Sequence, residues 1–152
     1  MKEIDASERA ETARNYFMKG YNCCQSVVMA FSDVLGCDAE KLETLAVGFG
    51  GGMGRLREVC GAFSAMVVLS GSIAGCSRAA SYALVQEFAQ RFRDENHGHL
   101  LCRDLLGLSE DQHESPVPSE RNKTYYENRP CADIVAGAAR IIAEKIREDD
   151  KC

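Results

Sequence analysis

Apolar residues recur at every third or fourth position along most of this 152-residue chain, the spacing that places them on one face of an α-helix. The first run begins at the capping residue Asp5; a second is opened by Asn22 with Gln25 and closed by Gly36. Further predicted helices begin near Asp38, Val59, Ser77, His99 and Pro130. We find no strand pattern. The sequence therefore predicts one all-α domain over residues 1–152, a compact helical bundle.

Residues 108–129 break this helical pattern. They contain Pro116, Pro118 and many charged side chains, and the stretch is long for a simple connection between two helices. The sequence predicts one long loop here, directly before the last helix. Tyr125 and Tyr126 in this loop either pack over a site or anchor the loop.

Composition narrows the class of protein. Hydrophobic residues make up 45% of the chain and charged residues 27%, as in globular proteins with one core. The net charge of −5 disfavours nucleic-acid binding. The most apolar stretch, 62–74, is shorter than the roughly 20 residues of a membrane span and is predicted to be a buried core helix. With no signal-peptide pattern, we expect a cytoplasmic protein without a membrane span.

Eight cysteines are many for a chain predicted to lie in a reducing compartment. None of them has the spacing of a C-x-x-C pair, a haem-attachment motif or a zinc finger. Any site that uses several of these thiols must therefore be assembled by the fold.

Position along the predicted helices separates the cysteines. Cys60, Cys102 and Cys131 lie on apolar faces, whereas Cys23 and Cys24 flank the apolar face of a fourth helix, so that periodicity does not choose between them. Cys23, Cys60 and Cys131 also lie at helix starts, where unpaired N–H groups favour a thiolate. The alternative is that each packs as a small apolar side chain. Three others follow a helix-ending glycine or end the chain, and no role is expected for them: Cys37, Cys76 and Cys152.

The segment 48–65, GFGGGMGRLREVCGAFSA, is rich in glycine, and its glycine run over 48–54 lacks the serine and proline of a flexible linker. Glycine at this density allows positive φ and close backbone approach. The segment matches neither a P-loop nor the dinucleotide-binding fingerprint. We expect it to wrap beside Cys60 and to present N–H groups toward the thiols. The residues expected to contact a cofactor are Gly50, Gly51, Gly52 and Arg55. Arg55, Arg57 and the glycine N–H groups are candidates for holding an anion.

The segments NCCQSVVMAF, GFGGGMGRLREVCGAFSA, LCRDLLG and PCADIV resemble the C-GCAxxG-C-C family of redox-active bacterial proteins, over residues 22 to about 147. Four cysteines and a CGAxxG motif define that family. The motif matches at residues 60–62, with Ala65 in place of its final glycine. The family's N-C-x-Q pattern identifies Cys23 rather than Cys24 as the first cysteine. The four matching cysteines are Cys23, Cys60, Cys102 and Cys131.

The resemblance implies redox chemistry at these four cysteines, which we expect to face inward and to meet at one site. Their thiolates would either hold an iron–sulfur cluster that transfers electrons or exchange between dithiol and disulfide without metal. Either use implies a redox partner protein. The alternative is a non-enzymatic interaction module with a structural four-cysteine zinc site, or with cysteines that are merely buried.

Overall fold

The computed structural model describes residues 3–109 and 114–150. Within these ranges the regular structure is helical, and the strand-like pairing is one isolated antiparallel bridge between Val59 and Leu101. The predicted all-α fold is confirmed. The helices are α1 (Ala6–Met18), α2 (Cys23–Met29), α3 (Ser32–Leu35), α4 (Ala39–Ala46), α5 (Gly50–Met53), α6 (Gly61–Ile73), α7 (Arg78–Glu95), α8 (Cys102–Leu106), α9 (Lys123–Asn128) and α10 (Cys131–Asp150), with a single 3₁₀ turn at Val47–Phe49.

The core lies where α1 packs along α10 and where α2, α6 and α7 close around that pair. Helix α6 contains the stretch predicted to be a buried core helix, and most of its side chains are buried. Burial of each large apolar side chain contributes about 1.5–3 kcal/mol to stability. The largest fully buried side chains include Phe17, Phe31, Met66, Leu69, Phe88, Phe92 and Ile142. None of the helices in the described ranges combines the length and the hydropathy needed to cross a bilayer.

Polar caps place the helix starts where the sequence predicts them. Asn22 Oδ1 accepts a hydrogen bond from the N–H of Gln25 at 3.0 Å, and Gln25 Oε1 accepts one from the N–H of Asn22 at 3.0 Å. This reciprocal capping box satisfies two N–H groups that would otherwise lack partners. Asp38 and Ser77 cap α4 and α7 through a single hydrogen bond each, accepted from the N–H groups of Lys41 and Ala80. The box fixes Cys23 as the first residue of α2.

The single helix predicted over 22–36 is instead divided into α2 and α3, so this prediction was wrong. Arg9 of α1 donates from Nη1 to the carbonyl of Ala30 at 2.8 Å and to Asp33 at 2.6 Å. The carbonyl of Ala30 thus has a partner outside its own helix. Phe31 leaves the helical conformation, with φ −122° and ψ 28°, and its ring is fully buried. The break between α2 and α3 therefore depends on the Arg9 side chain of α1, and the apolar pattern within 22–36 does not predict it.

The helix predicted to begin at His99 begins only at Cys102. Leu100 and Leu101 are used for backbone pairing with the segment before α6, because the carbonyl of Leu100 accepts from the N–H of Cys60 at 2.9 Å. The apolar side chains at 100 and 101 were consistent with a helical turn, but tertiary pairing prevails over that local preference.

The segment predicted as one long loop contains helix α9. Its cap, Asn122, accepts a hydrogen bond from the N–H of Tyr125 at 2.8 Å. The long segment before the last helix thus includes one short helix that was not predicted, because a helix of six residues is too short to show a periodic apolar face. Residues 110–113 of that segment, and Cys152, lie outside the described residues.

Candidate thiol site

Four cysteines lie at helix N-termini and line one cavity of about 50 Å³. Cys23, Cys102 and Cys131 are the first residues of α2, α8 and α10, and Cys60 is the N-cap of α6. The sequence placed Cys102 within a longer helix, so its position at a helix start is a correction. The positive end of a helix dipole favours a thiolate, and α6 and α10 are long enough for that effect to apply to Cys60 and Cys131.

Gly61 allows α6 to approach α2 closely. A Cβ atom on Gly61 would lie 3.0 Å from the carbonyl oxygen of Phe49, 3.1 Å from the backbone nitrogen of Cys24 and 3.2 Å from Cys23 Cβ. Non-bonded carbon atoms prefer separations of about 3.5–4.0 Å. The absent side chain therefore lets Cys60 and Cys23 line the same cavity, which gives the second position of the Cys-Gly-Ala motif a packing role.

Backbone pairing joins Cys60 to Cys102. The N–H of Cys60 donates to the carbonyl of Leu100 at 2.9 Å, and the N–H of Cys102 donates to the carbonyl of Glu58 at 2.6 Å. Two segments that are far apart in the sequence are thus held side by side. A pairing this short has no periodic signature, so sequence patterns do not predict it.

The glycine run forms a left-handed turn. Backbone φ is 64° at Gly51, 66° at Gly52, 67° at Met53, 57° at Gly54 and 67° at Arg55. Each residue with a Cβ costs about 1–2 kcal/mol in this conformation. The three glycines avoid that cost, so the strain in the turn is confined to its two larger residues.

This turn lines the thiol cavity, and it packs directly against Cys102. A Cβ atom on Gly52 would lie 2.6 Å from Cys102 Cβ, so a side chain at that position would displace the cysteine. The N–H groups of residues 54–58 donate to carbonyls within 48–53. The prediction that N–H groups of the run face the thiols is therefore wrong for residues 54–58, which satisfy the turn itself.

Arg57, a candidate from the sequence for holding an anion, lines the cavity together with Arg121 and Arg129, which sequence reasoning missed. The side chain of Arg57 is 7% exposed, its φ is 60°, and its Nη1 lies 3.5 Å from Cys102 Sγ. Its Nε donates to Glu114. Its Nη2 is buried and has no hydrogen-bond partner among the described residues. The left-handed backbone that turns this arginine inward is a tertiary feature, which residue spacing does not predict.

Cys23 and Cys131 line the same cavity, and each shifts the pKa of the other. The hydrogen bond from Cys23 lowers the pKa of Cys131 to about 7, with further help from the charges of Arg129, Arg121 and Arg57, although burial opposes the shift. The same hydrogen bond, together with burial, raises the pKa of Cys23. The pKa values of the two thiols are thus shifted in opposite directions, and Cys131 is the more acidic of the pair.

The other two thiols of the cavity remain protonated. Burial raises the pKa of Cys60 to about 12, although the N–H groups of Ala62 and Phe63 oppose that rise. Burial also raises the pKa of Cys102, against the hydrogen bond and charge of Arg57. The four cysteines thus differ in pKa, and Cys131 is the most acidic of them.

Cysteines outside the cavity occupy different environments. Cys24 is fully buried in the core, Cys37 is half-buried and Cys76 is exposed. The described cysteines are free thiols rather than disulfides. Within residues 3–109 and 114–150, no three His, Cys, Asp or Glu side chains are arranged to hold a metal ion. The sulfurs as placed do not form a ligand set for zinc or an iron–sulfur cluster, and a metal role stays a prediction.

The expected cofactor contacts are divided between two adjoining pockets. Gly51 and Gly52 line the thiol cavity, whereas Gly50 and Arg55 line only a neighbouring pocket of about 280 Å³. Their role toward a cofactor stays a prediction. Tyr125 lines both pockets; Tyr126 instead anchors the segment, because its hydroxyl donates to the carbonyl of Met18 at 3.2 Å.

Comparison with known protein families gives one match. A family model described as "Putative redox-active protein (C_GCAxxG_C_C)" matches residues 21–145, a range that includes all four cavity cysteines. Comparisons with curated proteins and with solved structures gave no match.

Proposed function

The chain belongs to the C_GCAxxG_C_C family, and we propose that it is a thiol redox protein in which Cys131 and Cys23 interconvert between dithiol and disulfide. The placement of Cys131 and Cys23 at two helix starts on one cavity carries this proposal. Their pKa shifts in opposite directions support it, because an attacking thiol should be more acidic than the resolving one. The pair lies in the cytoplasm in this proposal, where disulfides are reduced by exchange.

The proposed reaction oxidises the protein dithiol with a substrate disulfide. The Cys131 thiolate attacks one substrate sulfur, the substrate S–S bond breaks, and the first product leaves as a thiolate that takes up a proton. Cys23 then loses its proton and attacks Cys131 Sγ in the mixed disulfide. The second product leaves as a thiol and a Cys23–Cys131 disulfide forms. Two electrons have passed from the protein to the substrate, and the reverse sequence reduces the protein.

Cys60 and Cys102 supply a second dithiol in this proposal. Both line the same cavity as the first pair, and both are protonated near neutral pH. Exchange can move the disulfide from Cys23–Cys131 to Cys60–Cys102 and so toward a redox partner protein on another side of the cavity. This step assigns a role to every cysteine that the family motif includes.

Trapping of the mixed disulfide tests the assignment. The Cys23→Ser variant, reduced and mixed with bis(2-hydroxyethyl) disulfide, should accumulate a mixed disulfide at Cys131 that mass spectrometry locates. The Cys131→Ser variant should trap little adduct. Cys76→Ser, at an exposed position outside the cavity, is the matched control and should form the Cys23–Cys131 disulfide as the wild type does. Equal trapping in both pair variants would contradict the assigned order of attack.

Metal analysis of protein purified without oxygen provides the second test, because both clusters and thiolates are lost in air. The proposal expects a reversible disulfide and no stoichiometric metal. Iron with acid-labile sulfide would favour a cluster held by Cys23, Cys60, Cys102 and Cys131. One zinc per chain, lost together with the fold on chelation, would favour the structural module.

A further inference from the structure

The thiol cavity adjoins a wider pocket. The cavity of about 50 Å³ and the neighbouring pocket of about 280 Å³ share six lining residues. The smaller space holds little beyond the thiols, whereas the larger one approaches the size of a small-molecule site. The shared residues are Asn22, Gly51, Arg57, Arg121, Tyr125 and Arg129.

Positive charge is concentrated at this junction. The wider pocket is lined by Arg55, Arg57, Arg121 and Arg129, although the protein carries a net charge of −5. Glu114 is the acidic partner at this wall: its carboxylate contacts both Arg55 and Arg57. One carboxylate thus faces four guanidinium groups in the described residues, which leaves a local excess of positive charge.

Arg57 and Arg129 retain capacity to bind an anion, whereas Arg121 is engaged by the fold. Arg57 is nine-tenths buried and its Nη2 lacks a partner among the described residues. Arg121 donates to the carbonyls of Phe17 and Tyr21, and Arg129 lies with its Cζ 4.6 Å from the Tyr125 ring centroid. Within residues 3–109 and 114–150, no carboxylate lies within 4 Å of the guanidinium of either Arg121 or Arg129.

A structural role explains Arg121 but not the whole set. The guanidinium of Arg121 stacks against Phe17 and Tyr125, at 4.4 and 4.8 Å, and so holds the α9 segment against α1. The described contact of the Arg129 guanidinium is with a ring face, which leaves its N–H groups available in the plane of the group. Guanidinium groups bind carboxylate and phosphate through paired N–H donors.

We propose that this pocket binds the carboxylate of a low-molecular-weight disulfide or thiol, with Arg129 and Arg57 as anion-binding residues beside Cys131. The inference rests on the proposed thiol exchange and adds the substrate class to it. The substrate carboxylate lies in the arginine-lined pocket, and its sulfur extends into the thiol cavity. When the substrate is the disulfide, Cys131 then attacks that sulfur and the substrate S–S bond breaks. The attacked half stays on Cys131 as a mixed disulfide with its carboxylate in the pocket, and the other half leaves as a thiolate that takes up a proton.

A binding measurement tests the pocket without redox chemistry. Suberate matches the length and charge of 3,3′-dithiodipropionate but has CH₂ groups in place of the sulfurs. In NMR titrations of the reduced, desalted protein, suberate should shift the signals of residues around Tyr125 and Arg129. Arg129→Gln should weaken that binding by about tenfold, the effect of losing one charge-assisted contact. Uncharged 1,8-octanediol should bind far more weakly; equal binding of the two compounds would overturn the proposal.

A kinetic measurement tests the same pocket during exchange. Three disulfides of similar size differ in charge: 3,3′-dithiodipropionate is anionic, bis(2-hydroxyethyl) disulfide is neutral and cystamine is cationic. The wild type should react fastest with the anionic compound and slowest with the cationic one. Arg129→Gln should reduce the ratio of the anionic to the neutral rate by about tenfold. The ratio is the readout because a change in the nucleophilicity of Cys131 affects all three rates together.

A matched charge control separates local binding from net charge. Arg78→Gln removes the same charge at an exposed position at the start of α7, away from both pockets. It should leave the suberate affinity and the rate ratio at their wild-type values. Equal effects of Arg78→Gln and Arg129→Gln would show that net charge, rather than binding in this pocket, causes the effect, and would overturn the proposal. Oxidation by all three disulfides with no preference would overturn the anion pocket alone, whereas suberate binding without any thiol exchange would overturn the proposed function alone.

Discussion

The helical core and the left-handed turn over 51–55 are stabilised in different ways. In the core, long helices bury aromatic and aliphatic side chains such as Phe88 and Phe92, which are fully buried. In the turn, consecutive residues have φ near +60°, and the N–H groups of 54–58 bond to nearby carbonyls. Stability in the core thus comes from apolar area removed from water. The shape of the turn comes from glycine and from hydrogen bonds within it.

The comparison shows where function and stability are separated. Cys23, Cys60 and Cys131 lie at the N-termini of core helices, which fix their positions. The turn instead packs against Cys102 and orients Arg57 inward. Strained backbone is retained where the surrounding structure over-determines it. Changes in the core should therefore alter stability above all, and changes in the turn should alter both stability and thiol chemistry.

The largest expected effect is in the core. Phe88→Ala removes a fully buried ring of α7 and should lower the free energy of unfolding by about 3–5 kcal/mol, the usual cost of such a cavity. Chemical denaturation followed by circular dichroism measures this loss. In the fraction that remains folded, the alkylation rate of Cys131 should equal that of the wild type. A lower alkylation rate of Cys131 in folded Phe88→Ala would show that packing of the core also affects the thiol chemistry.

Gly52→Ala in the turn should have the next largest effect. The new Cβ would meet Cys102 Cβ at 2.6 Å with φ at 66°, so overlap and strain together should cost about 2–4 kcal/mol. Cys102 should also change its reactivity toward thiol reagents. Gly71→Ala, in α6 with nothing within 4 Å of its new Cβ, is the control, and it should raise stability by up to about 1 kcal/mol. Equal stabilities of the two variants would refute the role of the turn.

The ion pair between Glu114 and Arg57 should give a smaller, pH-dependent effect. The hydrogen bond from Arg57 lowers the pKa of Glu114, so the pair stabilises the fold above the ordinary glutamate pKa of about 4.3. That stabilisation is lost as pH falls through the lowered pKa. Glu114→Gln should cost about 1–2 kcal/mol at pH 7 and nothing in strong acid.

Thermal unfolding as a function of pH measures the effect of Glu114. The control is Glu127→Gln, at an exposed residue of α9 that lies 3.6 Å from Lys123 Nζ. An exposed pair contributes about 0–1 kcal/mol, so this variant should follow the wild type closely. Superimposable pH profiles for Glu114→Gln and Glu127→Gln would show that the contact with Arg57 does not stabilise the fold.

The smallest expected effect is on the ionisation of Cys131. Its rate of alkylation by iodoacetamide should rise with a midpoint near pH 7, because the hydrogen bond from Cys23 stabilises its thiolate. Cys23→Ala should move that midpoint upward, while Cys76→Ser should leave it unchanged. A midpoint that stays in place in Cys23→Ala would mean that the arginines alone lower the pKa of Cys131.

The sequence determined the helical class of the protein because helix signals are local. Apolar periodicity and caps such as Asn22 with Gln25 act within a few residues, and these were predicted correctly. The motif cysteines were identified by resemblance, and the structure brings all four to one cavity. Their function remains a prediction.

Only the tertiary structure decided how these parts meet, because the deciding contacts join residues far apart in the chain. Arg9 ends α2 from another helix, and the pairing of Cys60 with Leu100 delays the start of α8 to Cys102. Arg57 lies among the thiols through a backbone conformation that its own side chain disfavours. Such contacts depend on the packing of the whole molecule, and neither periodicity nor residue spacing carries that information.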